Sequence, residues 1–235
     1  MIGKTQMNAR TTRVRRAAAA GLALAATLTL AACGQQDAPA PAVEAPASVS
    51  QAGAASPYKG TELYQPFAKP DLKLTDDQGK PFDLRKDTAG RSVLLFFGYT
   101  NCPDVCPTTL SDVALALREQ PNEVREKTSV VFVSTDPERD TPKVLDKWLA
   151  SFDAGYTGLT GDLEQVKAAA KSLGITVDDP KHHDDGTVTS SHGPQLVAFL
   201  PTTDQGHVVY SSGTPTASFA HDLPLLARGK QSTAG

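Results

Sequence analysis

The sequence predicts a single α/β domain over residues 58–230, and three features carry that reading. Residues 92–99 and 129–133 are unbroken apolar runs, the mark of strands covered on both faces. Between them, Leu110, Val113, Ala114 and Leu117 recur at helical spacing within residues 109–119. Further helical stretches and a closing pair of apolar runs continue the alternation, the pattern of helices packed on a sheet.

In chain order, residues 72–75 and 82–84 flank Asp76-Asp77-Gln78-Gly79, an N-terminal β-hairpin signal with glycine in the turn. The run 92–99, the helix 109–119 and the run 129–133 follow. Two buried strands joined through a helix imply a right-handed βαβ unit. Thr141-Pro142 opens the next helix with an N-cap residue and a first-turn proline. Val144, Leu145, Trp148 and Leu149 are expected to point inward from it. A third helix spans 162–173 and is stopped by Gly174. Residues 195–200 and 207–210 pair across the turn 201–206, and 218–228 form a final helix. The order hairpin, β, α, β, α, α, β, β, α reads as a thioredoxin-like domain.

Composition narrows the function classes. The 235 residues carry a net charge of −3 and only 6% aromatics, which argues against a nucleic-acid binder, where a basic stripe or a base-stacking platform is expected. Three cysteines, at 33, 102 and 106, are too few for a disulfide-stapled scaffold.

The first residues read as an address. Lys4, Arg10, Arg13, Arg15 and Arg16 precede an apolar stretch of small residues over 17–32, too short to span about 30 Å of hydrocarbon comfortably. Residues 1–32 are therefore expected to be a signal peptide. The run Leu30-Ala31-Ala32-Cys33-Gly34 resembles the lipobox of bacterial lipoproteins. That resemblance implies cleavage before Cys33, a diacylglycerol on its sulfur and an acylated amino group, enough chains for stable anchoring. The expected location is the cell membrane, facing the periplasm or extracytoplasmic space. Residues 33–57, rich in Ala, Pro, Gln and Ser, bury too little to order themselves and read as a flexible linker.

Cys102-Pro103-Asp104-Val105-Cys106 lies between a buried strand and a helix. A cysteine there meets the positive end of the helix dipole, which favours the thiolate. A spacing of four puts both sulfurs on one helical face. They can close into a redox-active disulfide or grip one soft ion together.

The ten residues 98–107, Gly-Tyr-Thr-Asn-Cys-Pro-Asp-Val-Cys-Pro, resemble the signature of the Sco/SenC family of copper-handling proteins. The run 134–142, Ser-Thr-Asp-Pro-Glu-Arg-Asp-Thr-Pro, then Gly158-Leu159-Thr160-Gly161 and a late histidine before a strand, match in order. The resemblance covers residue 58 to the last helix. It implies a thioredoxin-like fold, membrane attachment and a role in building the dinuclear copper centre of cytochrome c oxidase. It also implies one copper ion held by Cys102, Cys106 and His192. Thiolates select Cu(I) and imidazole suits copper in either state, so the donor set agrees. His182 and His183 sit in a polar loop with Asp184 and Asp185, and His207 and His221 have no motif around them. Asp136 and Asp140 are read as groups near the metal or, preferably for Asp140, as a helix cap with Thr141.

One departure concerns His192-Gly193-Pro194-Gln195. Pro194 directly precedes a strand, where thioredoxin-like oxidoreductases place a cis-proline facing their cysteines. A cis Gly193–Pro194 bond is the expectation, and it would add weight to redox chemistry. Two functions follow: a copper metallochaperone serving the copper-bearing subunit of cytochrome c oxidase, with other extracytoplasmic copper chaperones or thiol reductants as further candidate partners, or a thiol–disulfide reductase that carries no metal.

Overall fold

The computed structural model describes residues 56–152, 155–184 and 188–231. The expected signal peptide, Cys33 and all but the last two residues of the linker lie outside the described residues. The elements are β1 (Thr61–Ala68), β2 (Lys73–Asp76), β3 (Pro81–Asp83), α1 (Leu84–Asp87), β4 (Ser92–Gly98), α2 (Val105–Arg118), α3 (Asn122–Glu126) and β5 (Thr128–Ser134). They continue with α4 (Pro142–Leu149), β6 (Thr157–Thr160), α5 (Leu163–Ser172), β7 (Lys181–His182), β8 (Val188–Thr189), β9 (Leu196–Phe199), β10 (Gln205–Tyr210) and α6 (Thr216–Ala227).

Eight strands form one sheet in the order β1-β10-β9-β4-β5-β6-β2-β3, while β7 and β8 pair separately. β4, β5 and β6 run parallel, and β9 is antiparallel to β4. The two central runs are buried along their whole length, as helices on both faces require. Strand alternation divides their side chains between two cores. Leu94, Phe96, Val130 and Phe132 face α2, α4 and α6, and Val93, Leu95, Phe97, Val131 and Val133 face α5. Each large apolar side chain so buried contributes about 1.5–3 kcal/mol.

Helix boundaries follow identifiable signals. Asp162 caps α5 by accepting the Gln165 N–H at 2.9 Å, and Gly174 ends it with φ 70°. α2 buries Leu110, Val113, Ala114 and Leu117 as the spacing predicts, but begins at Val105, a turn earlier. In α4 Leu145 and Leu149 are buried and Trp148 packs on Phe132, whereas Val144 is exposed. Three inward residues suffice on two turns, and the fourth falls on the solvent side.

Three further differences matter. The hairpin β2–β3 is present but lies at the far edge of the sheet, and β1 precedes it at the opposite edge. β1 contains Pro66 and its register breaks between Glu62 and Phe67, an irregularity that hides an edge strand from period-2 reading. β6 carries Gly158, where a Cβ would fall 2.7 Å from Leu149. No cis peptide bond occurs among the described residues, so Gly193–Pro194 is trans. The Gly193 N–H is given to the Thr176 carbonyl at 2.8 Å, and the chain passes from that pairing into β9 without the sharp turn a cis bond would supply. No described helix is long and apolar enough to cross a membrane.

Candidate metal centre

The cysteine arm grows out of β4. A Cβ at Gly98, the last residue of the strand, would lie 2.9 Å from Cys106 Sγ and 2.8 Å from the Phe132 ring. Only glycine lets the buried sulfur rest against the strand. The chain then turns, with the Cys102 N–H donating to the Tyr99 carbonyl at 3.1 Å. Only Cys106 lies within α2, which corrects the expected shared helical face. Cys102 sits in the turn ahead, and its sulfur accepts the Cys106 backbone N–H at 3.4 Å. Asp104, the N-cap residue, makes no side-chain cap bond, so the Cys102 sulfur satisfies one of the free N–H groups at the helix start. Both cysteines are free thiols, Cys106 buried and Cys102 partly exposed.

The two thiols titrate in opposite directions. A hydrogen bond from the Cys106 thiol is the largest cause that brings Cys102 down to about 4, against its burial. The N–H groups of Cys106 and Asp104 lower it further. The helix-start donors thus act as the sequence suggests, behind the neighbouring thiol. Donation to Cys102 and burial push Cys106 far up, and the Cys102 and Asp140 charges add to this. The reduced pair therefore holds one thiolate and one thiol at neutral pH.

His192 arrives from the other end of the domain. Its Nε2 stands 3.6 Å from Cys106 Sγ. Its Nδ1 lies 3.0 Å from the Gly193 carbonyl. A carbonyl only accepts, so Nδ1 carries the proton and Nε2 is left as a lone-pair donor toward the sulfurs. The ring meets Phe96 and Tyr99 edge-on, at 6.1 and 6.0 Å between centroids. The backbone is held by an antiparallel bridge to Val177, and the Asp178 N–H donates to Ser191 O at 2.9 Å.

Among the described residues Cys102, Cys106 and His192 form one group of ligand atoms within 4.8 Å of one another. Three donors around a single first-row ion with bonds of about 2.0–2.3 Å stand about 3.5–4.0 Å from one another, so a movement on the order of 1 Å closes the set. Two soft sulfurs and one imidazole fit a soft cation, and the residues present therefore fit copper. The remaining histidines stay apart. His182 and His183 are exposed, the latter near Thr189 Oγ1 at 3.0 Å. His207 is buried against Gln231, and His221 pairs with Asp222.

In the run 134–142 Asp140 does not act as the helix cap that is the preferred reading of the sequence. Thr141 is the N-cap of α4 and makes no side-chain cap bond. Asp140 is fully buried and instead accepts from Thr100 N at 3.0 Å, Thr100 Oγ1 at 2.5 Å and Ser134 Oγ at 2.7 Å. The Asp136 carboxylate is taken by Arg139, whose Nη2 also donates to Val188 O at 3.2 Å. Thr100, Ser134 and Ser190 were not singled out from the sequence. An isolated Thr or Ser in a loop gives no signal of a partner 40 or 55 residues away.

The SCO1/SenC family model matches residues 61–223. A Stutzerimonas stutzeri protein whose description is of copper binding is 39% identical over 142 residues, covering 60% of this chain and 69% of that one. The mitochondrial SCO2 of Saccharomyces cerevisiae is 35% identical over 131 residues, and the match spans 56% of this chain and 42% of the yeast protein. Among solved structures, copper-bound ScoI of Bradyrhizobium japonicum superposes with a TM-score of 0.58 at 32% identity, over 69% of this chain and 98% of that chain. Apo Sco1 of Thermus thermophilus gives 0.64 at 34%, over 74% and 99%. With the thioredoxin-like sheet and the Cys–Cys–His group already in place, this match assigns the chain to the SCO1/SenC family.

Proposed function

We propose that the protein is a copper metallochaperone that carries one copper ion between Cys102, Cys106 and His192 and passes it to an acceptor. The convergence of those three donors within 4.8 Å carries the reading. Cys106 is closed off while Cys102 is partly exposed, so an incoming ligand reaches the ion from the Cys102 side. The family's part in cytochrome c oxidase assembly makes the copper-bearing subunit of that enzyme the acceptor.

Copper loading needs both thiols reduced, and loading Cys106 releases its proton. A thiol–disulfide reductase is the second reading, and the Cys102 thiolate favours it. The trans Gly193–Pro194 bond removes the support that a cis-proline would have lent.

The test is Cu(I) titration of the reduced full chain in detergent, beside Cys102→Ala. Wild type takes up one equivalent tightly, and retention of tight, stoichiometric copper by the variant refutes the assignment. Anchoring through an acylated Cys33, facing the extracytoplasmic space, completes the proposal. Cys33→Ser should release the protein or leave it unprocessed, and unacylated wild-type protein in the soluble fraction would contradict the anchor.

A further inference from the structure

The cysteine arm and the histidine arm come from parts of the chain some ninety residues apart by their numbers, yet both are fastened to the segment that follows β5. On the cysteine side, Asp140 takes both the N–H and the hydroxyl of Thr100, two residues ahead of Cys102. Thr135 adds its own N–H to the Gly98 carbonyl at 2.7 Å. On the histidine side, Thr135 Oγ1 and Ser190 Oγ are 2.9 Å apart, and Ser190 Oγ donates to the Thr135 carbonyl at 3.2 Å. Ser190 stands two residues ahead of His192. The anchoring groups Thr135, Asp140 and Ser190 are all buried. A buried carboxylate that accepts three hydrogen bonds holds its donors to one geometry, because releasing any of them leaves charge unsatisfied in a medium of low dielectric.

We propose that segment 135–140 is a brace that sets the separation between the cysteine pair and His192. Asp140 positions the cysteine arm through Thr100, and Thr135 positions the histidine arm through Ser190. None of these four residues is a donor to the ion. Their effect is on where the donors stand, which in the copper reading decides how little the protein must move to close on its cargo. The proposal rests on that reading only for its metal readout.

The two arms make different predictions, and the full chain in detergent serves for both. Cu(I) affinity is read by competition with a chromophoric chelator, the dithiol–disulfide equilibrium of the cysteine pair in glutathione buffers, and folding by thermal melting. Thr100→Val should weaken Cu(I) by about tenfold, at the lower end of what outer groups around a metal site supply, and should also shift the dithiol–disulfide constant. Thr100→Ser keeps the hydroxyl and should restore both to wild type. Ser190→Ala should weaken Cu(I) while moving the dithiol–disulfide constant less than Thr100→Val does, since its hydroxyl reaches the cysteine arm only through Thr135 Oγ1, which also donates to the Gly98 carbonyl at 3.2 Å. The brace is overturned if Thr100→Val matches wild type in both readouts, or if Thr100→Ser fails to rescue. It is also overturned if Ser190→Ala moves the dithiol–disulfide constant as far as Thr100→Val does, which would mean a general loosening. A wild-type chain that binds no Cu(I) sinks the copper reading instead, and the dithiol–disulfide arm then decides the brace.

Discussion

Cys102 and Cys106 sit on a strand, a turn and a helix that follow one another directly, whereas His192 stands at the end of residues 175–192, a stretch whose strands, among the described residues, are two residues long. The cysteine arm is backed by core: Cys106 lies against Gly98 and Phe132, and α2 buries a full apolar face. The histidine arm is held by backbone bonds to Thr176, Val177 and Asp178, by two edge-on rings and by the Ser190 hydroxyl. Segments with few buried apolar contacts open more readily than core strands and helices. The pair of sulfurs is thus a preformed cradle, and the imidazole is the donor whose place depends on the rest of the fold.

The largest effect that sharpens this contrast belongs to Cys106→Ala. One thiolate and one imidazole leave a soft ion under-coordinated, so tight Cu(I) binding should vanish in chelator competition. Survival of that binding would move the cradle away from the cysteines. Gly98→Val should lower the thermal stability by about 1–3 kcal/mol through overpacking, because the added carbons meet Phe132 and Cys106 Sγ. A melting curve unchanged by that substitution would show the cysteine arm to be less closely packed than described.

His192→Ala should weaken Cu(I) by more than tenfold, over about 1.4 kcal/mol, while both cysteines remain and the fold melts as before. The cysteine pair has its own signature in pH. Alkylation of Cys102 by iodoacetamide should persist from neutral pH down to about 4 in the wild type. The sign for stability follows the same direction. The folded value lies below that of an unfolded thiol, about 8.5. The Cys102 contribution to the reduced fold is therefore complete above that value and is lost as pH falls toward about 4. The smallest effect belongs to Thr189→Ala on the exposed β7–β8 pair, which should change stability by less than about 0.5 kcal/mol. A larger loss would show that the outer ribbon, and not only its inner backbone bonds, carries the histidine arm.

Much of the cysteine arm is legible from residues alone. The apolar run before Cys102 and the Leu110, Val113, Ala114, Leu117 spacing after Cys106 place both thiols at a strand–helix junction, where the structure has them. The sharing of a helical face is not borne out, since a cysteine in a first helical turn and one three residues ahead of the helix look alike in a four-residue spacing. His192 enters the sequence reading only through a family resemblance, and its nearness to Cys106 is a contact across 86 residues. Asp140 looks like a helix cap, a frequent use of aspartate just before Thr-Pro, and only the folded chain brings Thr100 to it.

By itself the sequence determined the buried strands β4 and β5, the helices α2, α4 and α5 between turn signals, and the pair of thiols that ends one strand and begins one helix. Those are properties of a few consecutive residues, set by hydrophobic period, capping and the reach of a four-residue turn. Tertiary structure alone decided that the irregular β1 closes one edge of the sheet, that Gly193–Pro194 is trans, and that Val144 faces water. It also decided that His192 meets the sulfurs and that Thr135 and Asp140 hold both arms. Each of these depends on a partner far along the chain, and which partner is reached follows from the order of strands in the sheet, not from any local run of residues.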